Sequence, residues 1–240
     1  DSSTSRGLGD VYKRQLLFVG LLAGQGLVAQ SSPDWANLSR FKEENLQLGR
    51  PSRNESRVVF MGNSITEGWI RNRPEFFSGN KYINRGISGQ TTPQMLVRFR
   101  QDVIALQPAV VVILAGTNDI AGNTGPSTLE MIEDNLASMT EIAQANGIQV
   151  VLCSVLPVAD YPWAPGLEPA EKIVELNAWI KKYAVRHGAI YLDYYTSVVD
   201  AQKGMKAEYS EDGVHPNVAG YNVMEPLAKK AVKKALSRVK

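Results

Sequence analysis

Five short runs rich in Val and Ile, each followed by a segment of helical period, constrain this chain more than any other feature. They are residues 57–62 (RVVFMG), 81–87 (KYINRGI), 109–116 (AVVVILAG), 148–155 (IQVVLCSV) and 189–194 (AIYLDY). Near-continuous apolar runs of this length suit strands buried on both faces, the condition of a parallel sheet. Between them the period changes. Met95, Phe99, Val103 and Leu106 share a helical face after a Thr92-Pro93 start, where Thr suits the cap and Pro the first helical position. Leu129, Ile132, Leu136, Met139 and Ala143 form a second stripe, opened by the capping box STLE (127–130) and closed by Asn146-Gly147. Ile173, Leu176, Ile180 and Ala184 form a third, ending at His187-Gly188. Pro226 leaves the last helical stretch open to a kink or a break. Parallel strands need right-handed crossovers, which place helices on both faces of the sheet. The expected fold is therefore α/β: a three-layer α/β/α sandwich around a five-stranded parallel sheet, flavodoxin-like in architecture.

Composition sets the domain count and narrows the partners. The 240 residues, 44% hydrophobic and 21% charged, suffice for one substantial core, and a single domain is expected over 31–240. A formal charge of +2 is too small to imply nucleic acid, and Lys229, Lys230, Lys233 and Lys234 read as a solvated helix face. Cys153 is the one cysteine, so no internal disulfide forms, and its apolar run suits a buried structural thiol. The first thirty residues stand apart. DVYKRQ (10–15) is what a transposase-adapter DNA string encodes, so 1–15 read as an assembly artefact. LLFVGLLAGQGLVAQ (16–30) is too short for a membrane span and ends in small residues, as a truncated signal peptide does. A buried N-terminal helix is the competing reading. Gly24, Gly26 and the abrupt polar SSPDW favour export to the periplasm or beyond, from a mature start near Gln30 or Ser31, with no stable membrane insertion after processing.

In open parallel sheets ligands bind outside the carboxyl ends of the strands, so the chemistry is sought there. Those positions hold Ser64 (GNSIT), Ser88-Gly89 (GISGQTT), Asn118-Asp119 (GTNDI) and Asp212 with His215 (EDGVHP). Each alone has an ordinary explanation: a helix cap, a turn, a loop amide, a surface histidine. Together they form a set, because a serine alcohol near its free pKa is inert without a base in hydrogen-bond reach. Of the two histidines, His187 closes a helix, where a partly buried imidazole near the last carbonyls is the ordinary reading. That leaves His215 as base, with Asp212 three residues earlier able to reach Nδ1–H through a turn at Gly213. Three donors are available for a developing oxyanion: the N–H groups of Ser64 and Gly89 and the side-chain amide of Asn118.

Over roughly 57–236 the chain resembles an SGNH hydrolase of the GDSL type, on the blocks GNSIT, NRGISGQTT, GTNDI and DGVHP in that order. The resemblance implies a serine esterase without metal or organic cofactor. In it Ser64 is the nucleophile, His215 the base, Asp212 its orienting partner, and Ser64, Gly89 and Asn118 the oxyanion hole. The departure is Asn63, where the family usually has aspartate, which touches local turn support more than catalysis.

Ser88 is a rival nucleophile, but its glycine-rich surroundings suit backbone donation better. No G-x-S-x-G elbow surrounds Ser64, which argues against a conventional α/β-hydrolase, and no G-x-G-x-x-G or Walker sequence supports a nucleotide site. A catalytically silent binding domain is the remaining class. The substrate reading rests on aromatics. Tyr161 and Trp163, on the proline-rich connection 156–169, and Trp69 after the serine are candidates for contacting a sugar ring or an acyl group, or for packing the loop down. The expectation is a small ester or acylated glycan, with short acyl groups such as acetyl; lysophospholipid, aryl ester and thioester hydrolysis stay open. Oligomeric state is not encoded in any motif.

Overall fold

The computed structural model describes residues 34–239. The adapter-like segment, the leader and the mature start lie outside the described residues.

The chain runs through α1 (Lys42–Leu48), β1 (Val58–Gly62), α2 (Ser64–Asn72), α3 (Pro74–Asn80), β2 (Tyr82–Gly86) and α4 (Thr92–Asp102). It continues through β3 (Val110–Leu114), α5 (Thr117–Ile120), α6 (Leu129–Ala145), β4 (Gln149–Cys153), α7 (Pro169–Arg186), β5 (Ile190–Leu192), α8 (Tyr195–Val198) and α9 (Val218–Leu236). All five strands are parallel, in the order β2-β1-β3-β4-β5. Helices cover both faces, so the three-layer α/β/α sandwich is the fold.

The two-residue period of each strand divides its side chains between two cores. Val59, Met61, Val111 and Ile113 pack under α4, α6 and α7 with Met95, Phe99, Leu136, Leu176 and Ile180. Val58, Phe60, Val110 and Val112 pack on the other face under α2, α3 and α9 with Ile65, Trp69, Phe76, Met224 and Val232. Every residue of β1 and β3 is buried, which explains their unbroken apolar runs.

Several local details differ from the sequence reading. The cap of α4 is Thr91, not Thr92, in a capping box with Gln94, and the cap of α6 is Thr128, not Ser127, accepting from the Met131 N–H. In both cases the threonine one position over holds the extended backbone that a cap needs. Helix α9 continues through Pro226 without a break. His187 is exposed rather than partly buried; its ring stacks on Tyr183 with centroids 4.1 Å apart, because the last turn of α7 faces solvent. Cys153 is buried, and burial raises its thiol far above the ordinary range.

Candidate active site

Strand order reverses at β1, which lies between β2 and β3, and the crevice at such a switch point is where the loops diverge. Ser64 follows β1, Gly89 follows β2 and Asn118 follows β3, so three segments far apart in sequence meet at one edge of the sheet. Two glycines make the meeting tight. A Cβ on Gly62 would come within 2.1 Å of Thr66 Oγ1, and one on Gly86 within 2.2 Å of the Glu67 nitrogen. The first turn of α2 therefore rests directly on the ends of β1 and β2, with Ser64 at its tip.

Ser64 is not the cap of its helix. Asn63 is: its Oδ1 accepts from the Ile65 N–H at 3.1 Å. An amide oxygen thus supplies the capping bond an aspartate would make, without the negative charge that also favours a helix N-terminus by about 0.3–1 kcal/mol. The Ser64 hydroxyl is left for another partner, and lies 2.9 Å from His215 Nε2. His215 Nδ1 lies 2.7 Å from Asp212 Oδ2. Asp212 Oδ1 also accepts from the N–H groups of Val214 and His215 and from the Ser210 hydroxyl, in a turn that Gly213 closes at φ +77°. Burial works against charge on Asp212, but the N–H and ring of His215 and the N–H of Val214 outweigh it and hold the carboxyl at about 2. An ionised carboxylate only accepts hydrogen bonds, so the imidazole proton sits on Nδ1 and Nε2 is free to accept from serine.

Opposite this pair, the N–H groups of Ser64 and Gly89 have no acceptor among the described residues. Gly89 holds φ +77°, a conformation open to glycine and strained for most other residues. The Asn118 side chain donates one N–H to the Gln90 carbonyl at 2.9 Å and keeps its second for the cavity it lines. Ser88 is tied down: its N–H and hydroxyl both donate to Glu67 Oε2, not to a histidine.

Sequence reasoning missed the residues beneath this wall. Arg98, fully buried, donates to Gln90 Oε1, to Asp102 and to the carbonyls of Gly62 and Arg85 at the ends of β1 and β2. Gln90 in turn fixes the Asn118 amide. Asp119 accepts from the Thr92 N–H and hydroxyl, and burial pushes its carboxyl up to about 6 against those bonds. The i,i+4 spacing of Arg98 and Asp102 was the one legible signal, and at the sequence level it describes a surface ion pair equally well.

The cavity in front of these groups has a volume of about 480 Å³. Trp163 lines it, 45% exposed, with its ring centroid 6.0 Å from that of His215. Its Nε1 donates to Asn123 Oδ1, whose amide donates to the Gly89 carbonyl. The other two aromatic candidates are corrected by their surroundings. Trp69 is 1% exposed, stacked on Phe76 at 4.7 Å and on Tyr221 at 5.2 Å, because its helical phase follows Ile65 onto the sheet. Tyr161 is wholly buried, with its hydroxyl donating to the Thr117 carbonyl at 2.9 Å, so it fastens the long loop to β3's end instead of meeting the cavity. Arg71, not singled out from sequence, lines the cavity.

A serine, histidine and carboxylate hydrogen-bonded in series beside free backbone donors is the arrangement by which serine hydrolases form and resolve an acyl-enzyme. Residues 60–223 match the GDSL-like Lipase/Acylhydrolase family, and the chain belongs to that family. It is a carboxylic ester hydrolase. The crystal structure of a GDSL-like lipase from Bacteroides thetaiotaomicron is 52% identical, with a TM-score of 0.82 over 84% of this chain and 99% of that one. Esterase TesA from Pseudomonas aeruginosa is 27% identical over 168 residues, 66% of this chain and 75% of the relative. An acetylxylan esterase from Xylanibacter ruminicola is 26% identical over 221 residues, 76% of this chain but 44% of the relative, so the chain spans less than half of that protein.

Proposed function

We propose that Ser64 Oγ attacks the ester carbonyl while His215 Nε2 takes its proton, with Asp212 orienting the ring and stabilising the imidazolium. The oxyanion is held by the N–H groups of Ser64 and Gly89 and the free N–H of Asn118. The imidazolium then protonates the departing alcohol. Water, giving a proton to His215, attacks the acyl-enzyme, and the acid leaves as Ser64 regains its hydrogen. The observation that carries this reading is the pair of contacts at His215, 2.9 Å to Ser64 and 2.7 Å to Asp212. Ser64→Ala is expected to reduce aryl acetate hydrolysis to background with an unchanged Tm; retained turnover overturns the assignment.

The substrate proposed is a short acyl ester, such as O-acetyl, on a glycan. An exposed indole beside the histidine supports it, since an aromatic face packs against the apolar face of a sugar ring. A relative named acetylxylan esterase supports it too. Rates across acyl lengths, run beside acetylated polysaccharides, test the reading: acetate released from polymer at rates matching small esters is the expected result, and preference for long acyl chains overturns it. Export through the leader-like run 16–30 belongs to the same proposal. Among the described residues no helix is long and apolar enough to cross a membrane. Sequencing the N-terminus of protein recovered from the periplasm or medium tests it, and retention of 16–30 in the cytoplasm counts against it.

A further inference from the structure

We infer that the wall of the cavity formed by Gly68, Arg71 and Asn72 is a subsite for an oxyanionic group, carboxylate or phosphate, carried by the alcohol part of the ester. This rests on the proposed glycan-ester reading and narrows it.

The first support is helical phase. Ser64, Gly68 and Arg71 stand at i, i+4 and i+7 on α2, with Asn72 at i+8, so the face that presents the serine also presents the guanidinium. Long side chains on a helix lean toward its N-terminus, here back toward Ser64. The contact at Gly68 agrees: a Cβ there would lie 3.8 Å from Arg71 Nη2 and 3.1 Å from the Tyr221 hydroxyl. Having no side chain, Gly68 leaves the path between serine and guanidinium open.

The second support is charge. Arg73, two residues on, pairs with Glu75 and Glu225, whereas Arg71 has no carboxylate in salt-bridge range among the described residues. Among the described residues lining the cavity, Arg71 carries the one permanent charge and none is a carboxylate. Asn72 donates one amide N–H to the Gly68 carbonyl at 2.9 Å and keeps another for a ligand. A guanidinium matches a carboxylate or phosphate through two parallel N–H···O bonds, whereas a neutral ester would leave it solvated.

The third support is position. Asn72 and Pro216 also line an adjoining recess with Asp212 and His215, so this wall runs along the histidine that protonates the leaving alcohol. Glu211 and Asp212 in that recess repel an anion, which holds the charged group at Arg71.

The test is kcat/KM for wild type and Arg71→Gln on three acetate esters: an acetylated oligogalacturonate, an acetylated hexose phosphate and an acetylated neutral xylo-oligosaccharide. An aryl acetate is run alongside to score the chemistry. Wild type is expected to favour an anionic ester over the neutral one, and which anion it favours identifies the group. The anionic-to-neutral ratio should fall about tenfold in Arg71→Gln, through KM more than kcat, and should shrink in wild type as salt rises. Arg71→Lys should restore it only in part, having charge without the fork. Anionic and neutral esters cleaved equally, or a ratio unmoved by the substitution, overturn this inference alone. Turnover of aryl acetate with none of the sugar esters cleaved overturns it together with the glycan reading.

Discussion

The two sides of the site are built by different means. The histidine side is a local turn: Asp212 gathers the N–H groups of Val214 and His215 and the His215 ring within one loop, with the two side chains 42% and 38% exposed. The proposed oxyanion side is assembled from the ends of three strands and held by buried bonds between elements, from Asn118 to the Gln90 carbonyl, from Arg98 to Gln90 Oε1 and from Thr92 to Asp119. The carboxylates record the contrast. Asp212 is held at about 2, since hydrogen bonds outweigh its partial burial; Asp119 rises to about 6, since full burial outweighs its hydrogen bonds. Substitutions on the first side are thus expected to cost little stability, and those among the buried bonds of the second to cost more.

That contrast is open to direct test. On the proposed mechanism the largest effect belongs to the local side: His215→Ala should lower kcat on an aryl acetate by roughly four to six orders of magnitude with only a small fall in the urea midpoint, from the lost ring contact to Asp212. A fall of less than about tenfold would remove His215 from the mechanism. Arg98→Met should act in the opposite sense, costing about 3–5 kcal/mol of stability by leaving Asp102 buried without its partner, read by chemical denaturation. Asn118→Ala should lower kcat by about 10²–10³, with a smaller change in KM, as loss of one oxyanion donor does.

The pH dependence of stability should show both carboxylates, with opposite signs. Folding raises the Asp119 carboxyl, so the folded state keeps a proton that the unfolded chain releases. Its contribution is present below about pH 4 and lost as pH rises through about 6, on the order of 2–3 kcal/mol. Asp212 is depressed, so its contribution is present above about pH 4 and lost as pH falls toward 2. Urea midpoints between pH 2 and 7 should lose the first slope in Asp119→Asn and the second in Asp212→Asn; identical curves would refute the assignment of the slopes. The smallest effect is expected at Asn63→Ala, about 1 kcal/mol of stability from the lost cap, with a modest fall in kcat as the serine's turn loosens.

What is legible in the sequence follows the same division. The five strands were legible because burial on both faces demands unbroken apolar runs, and the Asp212–His215 pair because three residues and a glycine suffice to close a turn. Helix caps slipped by one residue at Thr91 and Thr128, since adjacent Ser and Thr offer the same hydroxyl and only backbone geometry separates them. Beyond its i,i+4 spacing to Asp102, the role of Arg98 was illegible, as was that of Gln90: Arg98 donates to the Gly62 and Arg85 carbonyls and to Gln90 Oε1, and Gln90 donates to the Ala36 carbonyl and accepts from Asn118, and no side-chain pattern marks a carbonyl.

For this chain, then, residue order alone determines the alternation of strands and helices, hence a parallel sheet with a site at its carboxyl edge, and it determines the turn that pairs Asp212 with His215. Tertiary structure decided the rest. It gave the capping bond to Asn63 and so freed the Ser64 hydroxyl, sank Trp69 and Tyr161 into the cores while leaving Trp163 at the rim, and brought Arg71 to the cavity wall. The physical reason is reach: backbone period and short turns are encoded within a few residues, whereas which face of a helix meets solvent depends on what the remainder of the chain packs against it.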